Sequence, residues 1–237
     1  KKKIKRSILS RSSAEVLKFS KSYENYFIKI NKNKSIKEEK KIILNILKKA
    51  KQPVFILDVL NYSIYQDLVK ELEKYRIDTV LICDHKKKVL FDAKIIINAN
   101  PCQSKFKYSD SKAAYLMGHK YMIMDPSYKN IKRKKINKHI NSILVSVGGT
   151  DQNDMIYQVI ELIENSISNS KVNIYSSSSS KTYISKLKLY LNKNKYNNSY
   201  RLLLDVKNFY NSWWKNDIAI TASGNTLFER IASGLPG

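Results

Sequence analysis

Apolar residues recur along this chain in two alternating rhythms. Short runs rich in Ile, Val and Leu are separated by longer stretches in which apolar positions return every three or four residues. That alternation predicts strands and helices following one another, as in a parallel sheet covered by helices. "IKRSIL" and "YFIKI" read as strands around "SSAEVLKFSKS", where Ser12 and Glu15 form an S-x-x-E capping box at a helix start. "SIKEEKKIILNILKKA" opens with a second box, Ser35 and Glu38, and turns Ile36, Ile43, Ile46 and Leu47 toward one face. The strand "PVFILDV" is followed by the helix "SIYQDLVKELEKYR", with Ser63 and Gln66 as its box and Ile64, Leu68, Leu72 and Tyr75 as its buried stripe. "DTVLICD", "KIIINANP" and "KYMIMDP" are three further strand candidates.

From Lys129 to Asn141 the chain reads "KNIKRKKINKHIN", basic and without periodicity, which suits a linker. A second α/β set follows it. Strand "SILVSV" leads through "GGT" into helix "DMIYQVIELIENSI" and strand "KVNIYS"; the serine run Ser176–Ser180 is a low-complexity loop. Helix "KTYISKLKLYLNK", strand "RLLLDV", short amphipathic helix "NFYNSWWKN", strand "DIAITA" and a last helix complete it. Three segments result: an N-terminal Rossmann-like domain over 1–128, a basic linker over 129–141, and a C-terminal Rossmann-like domain over 142–237. Two such halves imply a cleft between them, where ligands usually sit.

Composition narrows the class. With 237 residues, 43% hydrophobic and 11% aromatic, the chain is globular, and no apolar run is long enough to span a bilayer. No signal peptide is legible, and Cys83 and Cys102 beside predicted strands suit a reducing, cytoplasmic setting. The cysteines and the scattered His85, His119 and His139 lack metal-site spacing. A net charge of +24 attracts phosphate backbones, yet only six of the 44 basic residues are Arg, the type suited to bidentate phosphate and base recognition. The Lys is spread over every predicted helix, which reads as solvated faces. Should that surface have a partner, peripheral contact with an anionic membrane fits better than nucleic acid.

Two turns carry candidate chemistry, because ligands of open α/β sheets bind beyond the carboxyl ends of strands, near helix N-termini. In "VSVGGTDQND", Gly148 and Gly149 allow close backbone approach ahead of Thr150; the alternative is a tight turn capped by Thr150 or Asp151. In "DIAITASGNTLFER", Ser223, Gly224, Asn225 and Thr226 place free N–H groups at a helix start, which favours a diphosphate, and Glu229 lies one turn in, within reach of a ribose. Here the alternative is a T-x-x-E capping box of Thr226 and Glu229.

These segments, with "VFILDVLNYSIYQDLVKELEKYRIDTVLICD" upstream, resemble the pseudaminic-acid-pathway UDP-sugar hydrolases and the related spore-coat-polysaccharide-type glycosyltransferases. "MGHKYMIMDPSY" is similar to their Y-G-x-K-Y-x-x-L-R-x-x-F, with Gly118, Lys120, Tyr121 and Tyr128 in matching places and Asp125 where Arg often stands. "FDAKIIINAN" resembles their A-D-x-V-I-N-x strand. The resemblance implies a GT-B-like α/β fold, two Rossmann-like domains with parallel sheets facing a cleft. It implies a UDP-sugar substrate held by Gly148, Gly149, Thr150, Ser223, Gly224, Asn225, Thr226 and Glu229, with no cofactor and no metal. Water or an acceptor hydroxyl would attack the anomeric carbon, in surface-polysaccharide or nonulosonic-acid synthesis.

The chain departs from that pattern at both ends. The family's first strand and Gly-x-Gly-His turn, which carries a catalytic His, have no counterpart; the catalytic residue is unassigned and His85 inherits no role. Beginning without Met and ending at Gly237, the chain reads as an internal fragment that is expected to be inactive alone. The competing class is a non-catalytic module, binding either a nucleotide sugar or, through its Lys, a membrane or nucleic acid.

Overall fold

The computed structural model describes residues 8–10, 27–29, 34–107, 112–130, 136–148, 151, 153–177, 181–193 and 195–237. The chain divides into two compact units, Lys1–Ile123 and Met124–Gly237. Residues 124–128, which the sequence pattern assigns to the N-terminal domain, thus belong with the second unit. The proposed box of Ser12 and Glu15, together with Gly149 and Thr150, lies outside the described residues.

In the first unit, β1 (Ile8–Ser10) and β2 (Phe27–Lys29) form a parallel pair. A four-stranded parallel sheet follows in sequential order: β3 (Val54–Asp58), β4 (Asp78–Cys83), β5 (Ile95–Asn98) and β6 (Ala114–Met117). Helix α1 (Ile36–Lys49) starts at the expected capping box: Glu38 N–H donates to Ser35 Oγ (3.2 Å) while Ser35 N–H donates to the Glu38 carboxylate (2.8 Å). Helix α2 (Gln66–Lys74) begins differently. Its first turn is a 3₁₀ turn over Tyr62–Tyr65, and Ser63 Oγ donates to Asn61 Oδ1 instead of capping. The tighter winding rotates the apolar stripe. Tyr65 and Val69 join Leu68 and Leu72 in the core, whereas Ile64 (36% exposed) and Tyr75 (49%) stay outside. "KYMIMDP" is not a strand; the pairing segment is "AYLM" just before it. Gly118, at φ +92°, turns the chain out of β6 into a short 3₁₀ turn over His119–Tyr121.

The second unit is a three-layer sandwich. Its parallel sheet runs β10-β7-β8-β9, with β7 (Ser142–Ser146), β8 (Lys171–Ser176), β9 (Ser199–Leu204) and β10 (Ile218–Thr221). Strand β7 is buried on both faces, so it reads as a continuous apolar run. Ile143 and Val145 pack with Ile156, Ile160 and Ile163 of α3 (Met155–Ser166) and Leu187 of α4 (Lys181–Lys193). Leu144 points to the other face, against Tyr128, Trp213, Ala219 and Leu235. The "NFYNSWWKN" segment is 3₁₀ over Phe209–Lys215 and buries Trp213 completely. Asp217, just before β10, accepts from the backbone N–H groups of Asn141 and Ser142 (both 3.0 Å), which sets β10 beside β7. Helix α5 (Asn225–Ser233) closes the unit and ends on Gly234 in the left-handed region.

Candidate functional site

In this second sheet the chain order places the first strand (β7) between the second (β8) and the fourth (β10). The chain therefore leaves β7 toward one side and β10 toward the other, which makes their junction a topological switch point. Crevices beyond the carboxyl ends of strands at such points are where α/β proteins hold ligands. The two turns singled out from sequence are the two that leave this junction. Thr221 is in register with Ser146, and the next residue, Ala222, donates its N–H to the Ser146 carbonyl (3.2 Å). Adjacent strands lie about 4.8 Å apart, so the loops after Val147 and Ala222 start side by side.

The helices that follow these turns are finished differently. At α3 the Asp151 carboxylate accepts from the backbone N–H groups of Met155 (2.8 Å) and Ile156 (2.9 Å), and also from the Tyr183 hydroxyl. An anionic side chain already occupies that helix start, reaching it from ahead of the N-cap position, which Asp154 and not Asp151 holds. Burial and the neighbouring Asp151 push the Tyr183 phenol far above its ordinary value. Gly148 sits at φ +102°, a conformation that favours glycine on backbone grounds alone.

Helix α5 has no such cap. It begins at Asn225 with Gly224 at the N-cap position, and among the described residues no side chain caps its first turn. A T-x-x-E box needs its Thr ahead of the helix; Thr226 stands inside it, at the second helical position. The box read as the alternative for Thr226 and Glu229 is therefore not formed. The Leu227 N–H turns back to the Gly224 carbonyl (3.0 Å), while the N–H groups of Asn225 and Thr226 have no acceptor within an α-helix, and the helix dipole concentrates positive potential on them. Ser223, Gly224 and Asn225 are exposed at this end. Gly224 has φ −168°, extended backbone open to any residue, and a Cβ built on it meets no atom within 4 Å. Neither the backbone conformation nor a protein neighbour calls for glycine there.

Glu229, one turn into α5, is half-buried. Desolvation raises its pKa above the ordinary carboxylate value, the nearby Tyr128 hydroxyl works against that rise, and the charge of Asp125 adds to it. Behind it, the Trp213 indole N–H donates to the Tyr128 hydroxyl oxygen (2.8 Å). Burial pushes the Tyr128 phenol well above its usual range. Tyr128 and Trp213 are 85 positions apart in the chain, and no spacing rule joins them.

His85 lies in the first unit, where its Nε2 is 3.2 Å from the Leu60 carbonyl and its ring meets Tyr62 edge-on. Among the described residues no three of His, Cys, Asp and Glu gather as a metal site, and no helix is long and apolar enough to cross a membrane.

Comparison with known proteins bears on the fold. No protein-family model matches the chain. An uncharacterized protein of Methanocaldococcus jannaschii, MJ1062, is 26% identical over 247 residues, covering 94% of this chain and 48% of that protein. The crystal structure of Acinetobacter baumannii MurG matches with a TM-score of 0.51 at 12% identity, over 93% of this chain and 64% of MurG. The fold is GT-B-like. Both proteins share an α/β architecture built on two parallel sheets. The chain spans about half the length of the curated relative it matches.

Proposed function

We propose that the second unit binds the diphosphate and ribose of a nucleotide sugar, with UDP-sugar as the substrate, for a reaction at the anomeric carbon. The observation that carries this reading is the start of α5: an uncapped helix N-terminus at the switch point, led by an exposed glycine. Backbone N–H groups there would donate to the diphosphate oxygens, and Thr226 would add its hydroxyl. Glu229, relieved of any capping task, would accept hydrogen bonds from the ribose hydroxyls as an ionised carboxylate. Gly148, Gly149 and Thr150 would border the sugar side from the adjoining turn. When the bond to the anomeric carbon breaks, negative charge grows on the departing diphosphate, and the same amides are fixed in advance to stabilise it.

The attacking group is water in a hydrolase and a hydroxyl of a second substrate in a glycosyltransferase. We place the whole protein among these two, in surface-polysaccharide or nonulosonic-acid synthesis. The likeness to the MurG fold agrees with this reading.

Calorimetric titration tests it directly. UDP should bind the chain, and 2′-deoxy-UDP should bind about 10-fold more weakly for the loss of one hydrogen bond to a charged group. Absence of UDP binding at millimolar concentration refutes the proposal.

A further inference from the structure

In the first unit β3 and β4 run parallel, in register up to Asp58 and Ile82, so the loops after them leave the sheet at the same end. The loop after β3 carries Val59 (36% exposed) and Leu60 (84%). The loop after β4 reads "DHKKKVLF"; Val89 and Phe91 go into the core, and Leu90 between them comes out, 70% exposed. Leu60 and Leu90 are the two most exposed large apolar side chains among the described residues. Leucines scattered singly over a surface need no explanation, but these two stand on loops that are tied together. His85 Nε2 lies 3.2 Å from the Leu60 carbonyl, and the Tyr62 ring meets those of His85 (5.0 Å between centroids) and Phe91 (5.3 Å) edge-on. Buried amides fix the second loop. Asn98 Nδ2 donates to the His85 carbonyl (2.9 Å), and Gln103 Nε2 donates to the same carbonyl and to that of Lys87 (2.9 Å). Both leucines are thus presented on a braced scaffold.

Beside Leu90 stand Lys86, Lys87 and Lys88, all exposed. Among the described residues neither Lys86 nor Lys87 has a carboxylate within ion-pair distance. Asp92 is taken by Gln66 and Lys70 (3.6 Å), so the Lys run outweighs Asp58 and Asp84 at these strand ends. We propose that this end of the first unit docks on an anionic lipid surface, with Leu60 and Leu90 entering the acyl boundary and Lys86, Lys87 and Lys88 meeting the headgroup phosphates. Apolar tips flanked by Lys suit that boundary, because the long stems lie along apolar surface while the ammonium groups stay at headgroup level. The lysines and the net charge of +24 complement a negative membrane surface. Nucleic acid fits less well: the rings here, Tyr62 and Phe91, pack into the core and offer bases no stacking platform. The inference stands apart from the nucleotide reading, and its test contains no nucleotide.

That test is co-sedimentation of the full chain with vesicles of phosphatidylcholine, alone or with about 30% phosphatidylserine, at about 0.1 M salt. Wild type should sediment with the anionic vesicles. Leu60→Ser combined with Leu90→Ser should weaken that binding by about 10-fold or more. Lys86→Gln combined with Lys87→Gln should weaken it by about 25-fold. All four side chains are exposed, so thermal melts of these variants should match wild type. Lys186→Gln combined with Lys188→Gln removes the same charge from exposed positions of α4 in the second unit, and should weaken binding by less than about threefold. Equal losses from both Lys pairs, with the leucine pair unaffected, would be diffuse attraction to the net charge and would overturn the docking face. No sedimentation with anionic vesicles overturns it outright. If the leucine pair instead turns a dimer into a monomer on size exclusion, the patch belongs to a second copy of the chain and the lipid assignment falls.

Discussion

Gly224→Ala separates a glycine kept for the fold from one kept for a ligand. The substitution adds one methyl group at the residue preceding α5. Two effects on stability oppose each other. Alanine restricts the unfolded chain more than glycine does, which stabilises by about 0.4–1 kcal/mol where the native backbone accepts it, and φ −168° accepts any residue. Alanine is also a poorer residue than glycine ahead of a helix, which costs about 0.5–1 kcal/mol. The new methyl meets no protein atom within 4 Å, so no clash enters the balance. Stability should therefore stay within about 0.5 kcal/mol of wild type. The consequence for a diphosphate is different. A methyl group beside the first N–H groups of α5 holds the phosphate oxygens off, and each charge-assisted hydrogen bond lost costs about 1.5–3 kcal/mol, or about 10- to 150-fold in affinity. Thermal melts and UDP calorimetry on the two proteins read both quantities. UDP affinity within about twofold of wild type, at unchanged stability, would refute the argument that Gly224 is kept open for a ligand.

The other substitutions pull the helix starts apart. Glu229→Gln should lose UDP affinity by about 10-fold or more while gaining stability at neutral pH. Its folded pKa is raised above the unfolded value, so the ionised form opposes folding above that raised value and the protonated form does not. The stability gap between the two proteins should close as pH falls through the raised Glu229 value toward 4.5, as followed by urea melts across pH. A gap that widens toward acid contradicts the burial of that carboxyl. Asp151→Ala should cost about 1–2 kcal/mol, because two backbone N–H groups of α3 lose their acceptor. UDP affinity should hardly move, since this helix start serves the fold; a large loss of affinity at unchanged stability would reassign it to the site.

The strands of the second unit were legible because the chain is unambiguous there. "KVNIYS" and "KTYISKLKLYLNK" match β8 and α4 residue for residue, for each stretch has one period and is bounded by Ser or Asn. Legibility failed where two local signals compete. "SIYQDL" offers a Ser and a Gln at capping-box spacing, but Tyr65 is drawn into the core, where its hydroxyl donates to Glu39 (2.8 Å), and the first turn winds as 3₁₀ to bring it there. "KYMIMDP" has the composition of a strand, yet the buried Gly118 at positive φ has already turned the chain out of the sheet.

Both site turns stood out in the sequence for their small residues, and what each turn is for did not. "GGTDQND" and "SGNTLFE" share one local grammar: small residues, then a Thr, then an acid placed to cap. In the first, Asp151 folds back onto its own helix. In the second, a cap would need α5 to begin after Thr226, and it begins one residue before it. That earlier start leaves Glu229 half-buried on a helix that packs against the turn over Pro126–Asn130. The task of an acid at a helix start is decided by where the helix begins, and here the start at Asn225 puts Thr226 inside the helix. A capping motif read from spacing alone is thus a statement about what a side chain does when nothing better is near. At the switch point of this sheet the box is not formed, and a helix end without a capping side chain is where the proposed nucleotide would gain most by binding.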